Sequence, residues 1–183
     1  SNLATGTADG SISSGFNAAV IDDPDVDVTV SDSNLTGSDD VSYLNVISNA
    51  TTGDITATIS RTASNLIQLT TSNSVDDITI TVTDDATASE AQTISHLSTV
   101  GVIYSGGLSD SISNLISGSA ISAGVNSATI DDSDVDITVS DSQSGSTGVT
   151  NLNILGSATS GTITATLTGT ASQLNSLTTS NST

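Results

Sequence analysis

Residues 19–33 read AVIDDPDVDVTVSDS, and residues 128–142 read ATIDDSDVDITVSDS. Twelve of the fifteen positions agree at an offset of 109. A fixed period of this kind governs the whole fold, because one unit is built repeatedly and packed on its neighbours. The match extends outward. Residues 43–74 (YLNVISNATTGDITATISRTASNLIQLTTSNS) align with 151–182 (NLNILGSATSGTITATLTGTASQLNSLTTSNS) at an offset of 108, with 19 of 32 positions identical. Ser1-Asn2-Leu3 repeats as Ser113-Asn114-Leu115. The chain therefore reads as one continuous repeat array over 1–183. Residues 18–126 form a full unit of about 109 residues, 127–183 a partial second unit and 1–17 the tail of a preceding one. Both ends fall inside the repeat, so a longer array is expected.

A finer pattern lies within the unit. Aliphatic residues alternate with Thr or Asp at Val26/Val28/Val30, Ile55/Ala57/Ile59 and Ile78/Ile80/Val82. They do so again at Val135/Ile137/Val139 and Ile163/Ala165/Leu167. Alternation of period two marks a half-buried strand. Markers at Val28, Ile55, Ile80, Ile103 and Ile137 are separated by 27, 25, 23 and 34 residues. Between them, Ala63/Leu66/Leu69 and Ala171/Leu174/Leu177 are spaced by three, after Thr62 and Thr170 as capping residues. This pattern predicts a β-rich parallel solenoid, with coils of about 23–34 residues and short helical or turn returns. The alternative is a tandem of immunoglobulin-like β-sandwiches, for which 109 residues is a suitable length.

Composition supports a thin aliphatic core over a bulky one. The 183 residues include two Tyr, one Phe and no Trp, and aromatics supply much of the burial in ordinary cores. Disorder is the reading that acidity, Ser and Gly would otherwise suggest. The alternating β-branched runs argue against it. Twenty Asp and Glu face one Lys or Arg, for a net charge of −19. Nucleic acid is excluded as a partner, because phosphate binding takes cations. Anionic membrane surfaces are excluded likewise, and no apolar run is long enough to span a bilayer. Absence of Cys removes disulfides and thiol chemistry.

The pairing of ITATISRTASNLIQL with ITITVTDDATASEAQTISHL resembles repeats of very large surface proteins of cyanobacteria and other Gram-negative bacteria. The resemblance implies secretion, an extracellular place on the cell surface, and a role in an adhesin or filament without catalysis. The expected partners are neighbouring repeats of the same chain, with self-association into filaments.

The candidate site is the recurring carboxylate cluster: Asp22, Asp23, Asp25 and Asp27, then Asp131, Asp132, Asp134 and Asp136. Calcium takes six to eight hard oxygens, which clustered carboxylates supply, so calcium is the expected cofactor. The cluster is not an EF-hand: counting from Asp23, the sixth position is Val28 and the twelfth is Asn34. The competing reading is a solvated acidic face. Asp76/Asp77, Asp84/Asp85 and Asp32/Asp141 suit turns and caps. His96, the only histidine, lacks a nucleophile elbow and is read as a surface residue rather than a triad member. Arg61 corresponds to Gly169 and is read as a local ion-pair partner.

The expected function is structural: a spacer that builds an extended stalk or filament, stabilised by calcium. The alternative is a carbohydrate- or ice-binding module presenting rows of threonine at Thr56/Thr58 and Thr79/Thr81.

Overall fold

The structure is a computed structural model and describes residues 12–32, 34–70 and 76–178. The first part of the chain forms α1 (Ser14–Asp22), β1 (Val28–Thr29), α2 (Asp40–Ala50), β2 (Ile55–Arg61), α3 (Ala63–Leu66), β3 (Asp77–Val82) and α4 (Ala88–Ser95). Next come β4 (Val102–Tyr104), β5 (Leu108–Asp110), α5 (Ile112–Leu115), β6 (Ile116–Ser117), β7 (Ala120–Ile121) and α6 (Ala123–Asp131). The second copy continues with β8 (Ile137–Val139), β9 (Gln143–Ser144), α7 (Gly145–Ala158), β10 (Ile163–Thr164), β11 (Leu167–Thr168) and α8 (Ala171–Leu174).

The predicted solenoid is not what forms, and neither is the sandwich. The chain is a small α/β domain with eight helices among the described residues and short strands in several small sheets. One sheet has four parallel strands in the order β1-β2-β3-β4. A second has three, β10-β8-β5, and two more have two strands each, β11-β9 and β6-β7. The sandwich fails because a sandwich needs antiparallel sheets, and β6-β7 is the sole antiparallel pair between these strands.

The solenoid expectation fails on its returns. Returns expected to be short helical pieces or turns include helices of eight to fourteen residues at α1, α2, α4, α6 and α7. The reason is visible in spacing: Val41, Leu44 and Ile47 are buried on one face of α2, and Val149, Leu152 and Leu155 on one face of α7. Residues three or four apart share a helical face, so burying them draws the whole stretch into helix. The strands are correspondingly short, and the sheet divides rather than running on.

Where strands do form, the alternation explains them. Ile78, Ile80 and Val82 of β3 are fully buried while Asp77 and Thr79 are exposed. Parallel pairing sets Ile80 against Ile59 on one side and Val102 on the other. These residues join one core cluster with Leu44, Leu66, Ile94 and Leu115. α4 is anchored at its start by Thr87, whose hydroxyl accepts from the Glu90 amide while the Glu90 carboxylate accepts from the Thr87 amide. This reciprocal arrangement satisfies two amides that helix geometry leaves unpaired.

Candidate functional site

The two aspartate clusters occupy equivalent corners. Asp22 and Asp131 end α1 and α6. Asp23 and Asp132 then leave the helix in an extended conformation, each donating its amide to a carbonyl four residues back at 2.8 Å. Each also accepts, at its own carbonyl, the amide of Val26 or Val135 at 3.2 Å. Five residues, 23–27 and 132–136, thereby carry the chain from helix to strand in the two copies.

A second segment closes over each corner. Thr51 Oγ1 donates to the carbonyls of Val26 (2.8 Å) and Pro24 (3.2 Å), and accepts from the Gly53 amide (3.0 Å). Thr159 does the same with Val135 (2.7 Å), Ser133 (3.4 Å) and Gly161 (2.9 Å). A Cβ on Gly53 would overlap the Asp25 and Val26 carbonyls, and one on Gly161 would overlap those of Asp134 and Val135. The Thr-x-Gly sequence is therefore a clasp: a hydroxyl for the corner carbonyls, then a residue without a side chain where backbones touch.

Several of the predicted metal ligands take separate hydrogen-bond partners. Asp27 Oδ1 accepts from the Asp54 amide (2.9 Å) and Asp136 Oδ1 from the Thr162 amide (2.6 Å), each tying its corner to the following strand. Both precede their strands instead of lying on them. Asp131 Oδ2 accepts from the Ser95 hydroxyl at 2.5 Å, and Asp132 Oδ2 from the Tyr104 amide at 2.8 Å. Asp22, Asp25 and Asp134 are exposed. Within the corners Asp23 lies beside Asp25, with the Asp27 charge also acting on it, and Asp132 lies beside Asp134. Among the described residues no group of three or more His, Cys, Asp or Glu is placed to hold a metal ion.

Electrostatics differ between the copies. Asp23, fully exposed, binds its proton more tightly than an ordinary aspartate because the Asp25 carboxyl hydrogen-bonds to it and then because Asp25 repels it. For Asp131 and Asp132 the main cause is burial, which disfavours the charged form. Tyr104 is pushed up by burial and by the neighbouring Asp131 and Asp132 charges. Its hydroxyl donates to the Ala91 carbonyl at 3.0 Å. A carboxyl whose folded-state affinity for protons is raised adds stability that is present below the ordinary value of 3.8 and lost as pH rises through the raised value. Acidification from neutrality toward the ordinary value of 3.8 should therefore raise the melting temperature. Asp132→Asn, which keeps an oxygen for the Tyr104 amide, should flatten that rise. A wild-type melting temperature that stays constant over this range would refute the assignment.

Other aspartates act as long-range caps. Asp84 accepts from the Ala63 amide (2.7 Å), Asp110 from Ala88 (3.2 Å) and Asp141 from Ile112 (2.7 Å), each at the first residue of a helix. Buried Asp76 accepts from the Ile55 amide at 3.0 Å. Of the two predicted local caps, Thr170 accepts from the Gln173 amide as expected. Thr62 instead donates to Asn65 Oδ1, and Asp84 takes over its helix.

The remaining candidates are quiet chemically. Arg61 donates to the Thr36 carbonyl and to Asn65 Oδ1, neutral oxygens rather than the expected ion-pair partner. His96 is exposed, with Nδ1 on the Gln92 carbonyl, while the adjacent Ser95 hydroxyl points to Asp131. No Ser-His contact is made there, so this trio does not have triad geometry. The threonine rows are short: Thr56 faces Thr29 and Asp77, Thr58 faces Thr79, and Thr81 faces Ser60 and Ile103. A groove of about 390 Å³ lies beside Ala88, Asp110, Asn114 and Gly124. Its carboxylate is occupied by the amides of Ala88 and Ser111 and by the Asn114 side chain. No helix among the described residues is long and apolar enough to cross a membrane. Comparison with protein-family models, curated proteins and solved structures finds no match to this chain.

Proposed function

We propose that this chain is a structural repeat segment of a large extracellular surface protein, a spacer for adhesion or surface coating without catalytic activity. One observation carries the reading: what recurs between the copies is the set of bonds that ties each segment to the next. Asp27 and Asp136, Thr51 and Thr159, and Gly53 and Gly161 recur with the same partners. Asn45 and Asn153 recur as well. Each donates its amide to a carbonyl 23 residues on and accepts an amide 25 residues on. Arg61 has Gly169 in its place, and the described second copy carries no histidine. Repetition of connections supports a building role. The resemblance to bacterial surface repeats supports the location.

Antibodies raised against the chain should label intact source cells as strongly as permeabilised ones. Labelling that requires permeabilisation would overturn the proposed location.

Calcium enters this reading as a counter-ion, not as a caged ligand. Each carboxylate pair, Asp23/Asp25 and Asp132/Asp134, supplies too few oxygens to enclose the ion but gains from relief of repulsion. Millimolar calcium should raise the melting temperature by about 1–3 °C, the scale of a stabilisation of ~1 kcal/mol or less in a chain of this length. A chelator should reverse it, and Asp23→Asn with Asp132→Asn should abolish it. An unchanged melting temperature would remove calcium from the account.

A further inference from the structure

The two copies of the repeat differ in what covers them. β2 and α3 of the first copy correspond, at an offset of 108, to β10, β11 and α8 of the second. β3 pairs along β2. Beneath that cover Ile55, Ala57, Ile59, Ala63, Leu66 and Leu69 are all at most 4% exposed. Their counterparts Ile163, Ala165, Leu167 and Leu177 are only half-buried, while Ala171 and Leu174 are exposed. The sequences are alike and both copies run from strand into a short helix, so the difference lies in what flanks them.

The other end shows the complementary difference. α6 packs against α4 so closely that a Cβ on Gly124 would overlap the Ala88 carbonyl oxygen. Ala128, one turn on, is fully buried. The equivalent positions in α1 are Gly15 and Ala19, at an offset of 109. Both are exposed, and nothing among the described residues lies within 4 Å of a Cβ built on Gly15. Gly15 thus bears the helix-weakening character of glycine without the close approach that makes it necessary at 124.

We propose that both faces dock a further copy of residues 76–95, the segment β3–α4. The face of β10, β11 and α8 receives its strand and the near side of its helix, as β2 and α3 do. The face of α1 around Gly15 and Ala19 receives Ala88–Ala91 of its helix, as α6 does. Within this chain one such segment already serves both surfaces, with β2 and α3 on one side and α6 on the other. The occupant is identified by that internal precedent. The proposal rests on reading the chain as a repeat segment, but it concerns surfaces alone and is tested independently of cellular location.

Two extended chains test it. In the first, residues 76–121 follow Thr183, in phase because 178–183 (TTSNST) align with 70–75 (TTSNSV). Amide exchange at Ile163–Leu167 should slow by roughly tenfold or more, as expected when an edge becomes an interior strand. In the second, residues 76–112 precede Ser1, in phase with Ser113. There Gly15→Ala should lower the melting temperature by several degrees, although in the 183-residue chain the same substitution should leave it unchanged or raise it. Unaltered exchange in the first chain together with a harmless Gly15→Ala in the second would overturn the proposal. Either chain reads its own face, so failure of one to fold leaves the other decisive. Surface labelling of source cells is unaffected by these outcomes and tests the functional reading separately.

Discussion

Replacing Gly53 with alanine is expected to lower the melting temperature by roughly 6–12 °C, the equivalent of about 3 kcal/mol in a chain of this length. The added methyl would meet the carbonyls of Asp25 and Val26. Those atoms are backbone, held in place by Thr51 Oγ1 and by the turn from Asp23 to Val26. They cannot swing aside as a side chain can, so the corner has to open and give up the Thr51 bonds. Gly161→Ala should act in the same direction through Asp134 and Val135. Gly169→Ala is the control, since the nearest atom is the terminal Oε1 of Gln173 at 3.2 Å and the first copy holds Arg61 at that position. It should change stability by less than about 1 kcal/mol. Calorimetry on the three variants decides the matter. A Gly53→Ala protein that melts with the control would show that the corners yield and that the clasp is not a constraint.

Truncating Ile55 to alanine should cost about 3–4 kcal/mol, whereas the same change at Ile163 should cost about 1–2 kcal/mol. The two isoleucines stand at equivalent places and each is paired with a preceding strand, Ile55 with Val28 and Ile163 with Ile137. Ile55 is 1% exposed, because its strand is flanked on both sides. Ile163 lies on the outer strand of its sheet and is half-buried. The comparison holds residue type and local sequence nearly constant, so the difference measures what a covering strand adds. Denaturant titration of both variants provides the test. Equal losses would mean that the covering strand contributes little to the burial of the one beneath it.

How much of this was legible in the sequence depended on the range of the interaction. β3 is legible, because period-two alternation over Ile78, Ile80 and Val82 is local and each buried residue declares its face. The helices α2 and α7 are not, although Val41, Leu44 and Ile47 stand at helical spacing. Most of their remaining residues are Ser, Asn, Thr, Gly and Asp, which are weak helix formers. Tertiary burial makes these helices, and their composition works against the spacing that announces them. That omission is what turned an expected solenoid into an α/β domain. The carboxylates divide in the same way. Their clustering and recurrence are plain in the sequence, and so is their suitability for turns and caps. Their partners are not, since the amides bonded by Asp27, Asp84, Asp110 and Asp141 lie 21 to 29 residues away. Thr87 and Glu90 carried a readable signal, the Thr-x-x-Glu of a reciprocal cap, which marks the start of α4.

The carboxylate-to-amide bonds have a consequence for the medium in which this protein can work. At least seven aspartates among the described residues (Asp27, Asp76, Asp84, Asp110, Asp132, Asp136 and Asp141) accept a backbone amide from a distant segment. A protein held by pairs of opposite charge loses part of its attraction as ionic strength rises. Here the anionic groups are fastened to neutral donors at short range, while the uncompensated charge of −19 acts only as repulsion. Dissolved salt therefore shortens the reach of the unfavourable interaction and leaves the favourable one in place. This is a fold that brine should toughen.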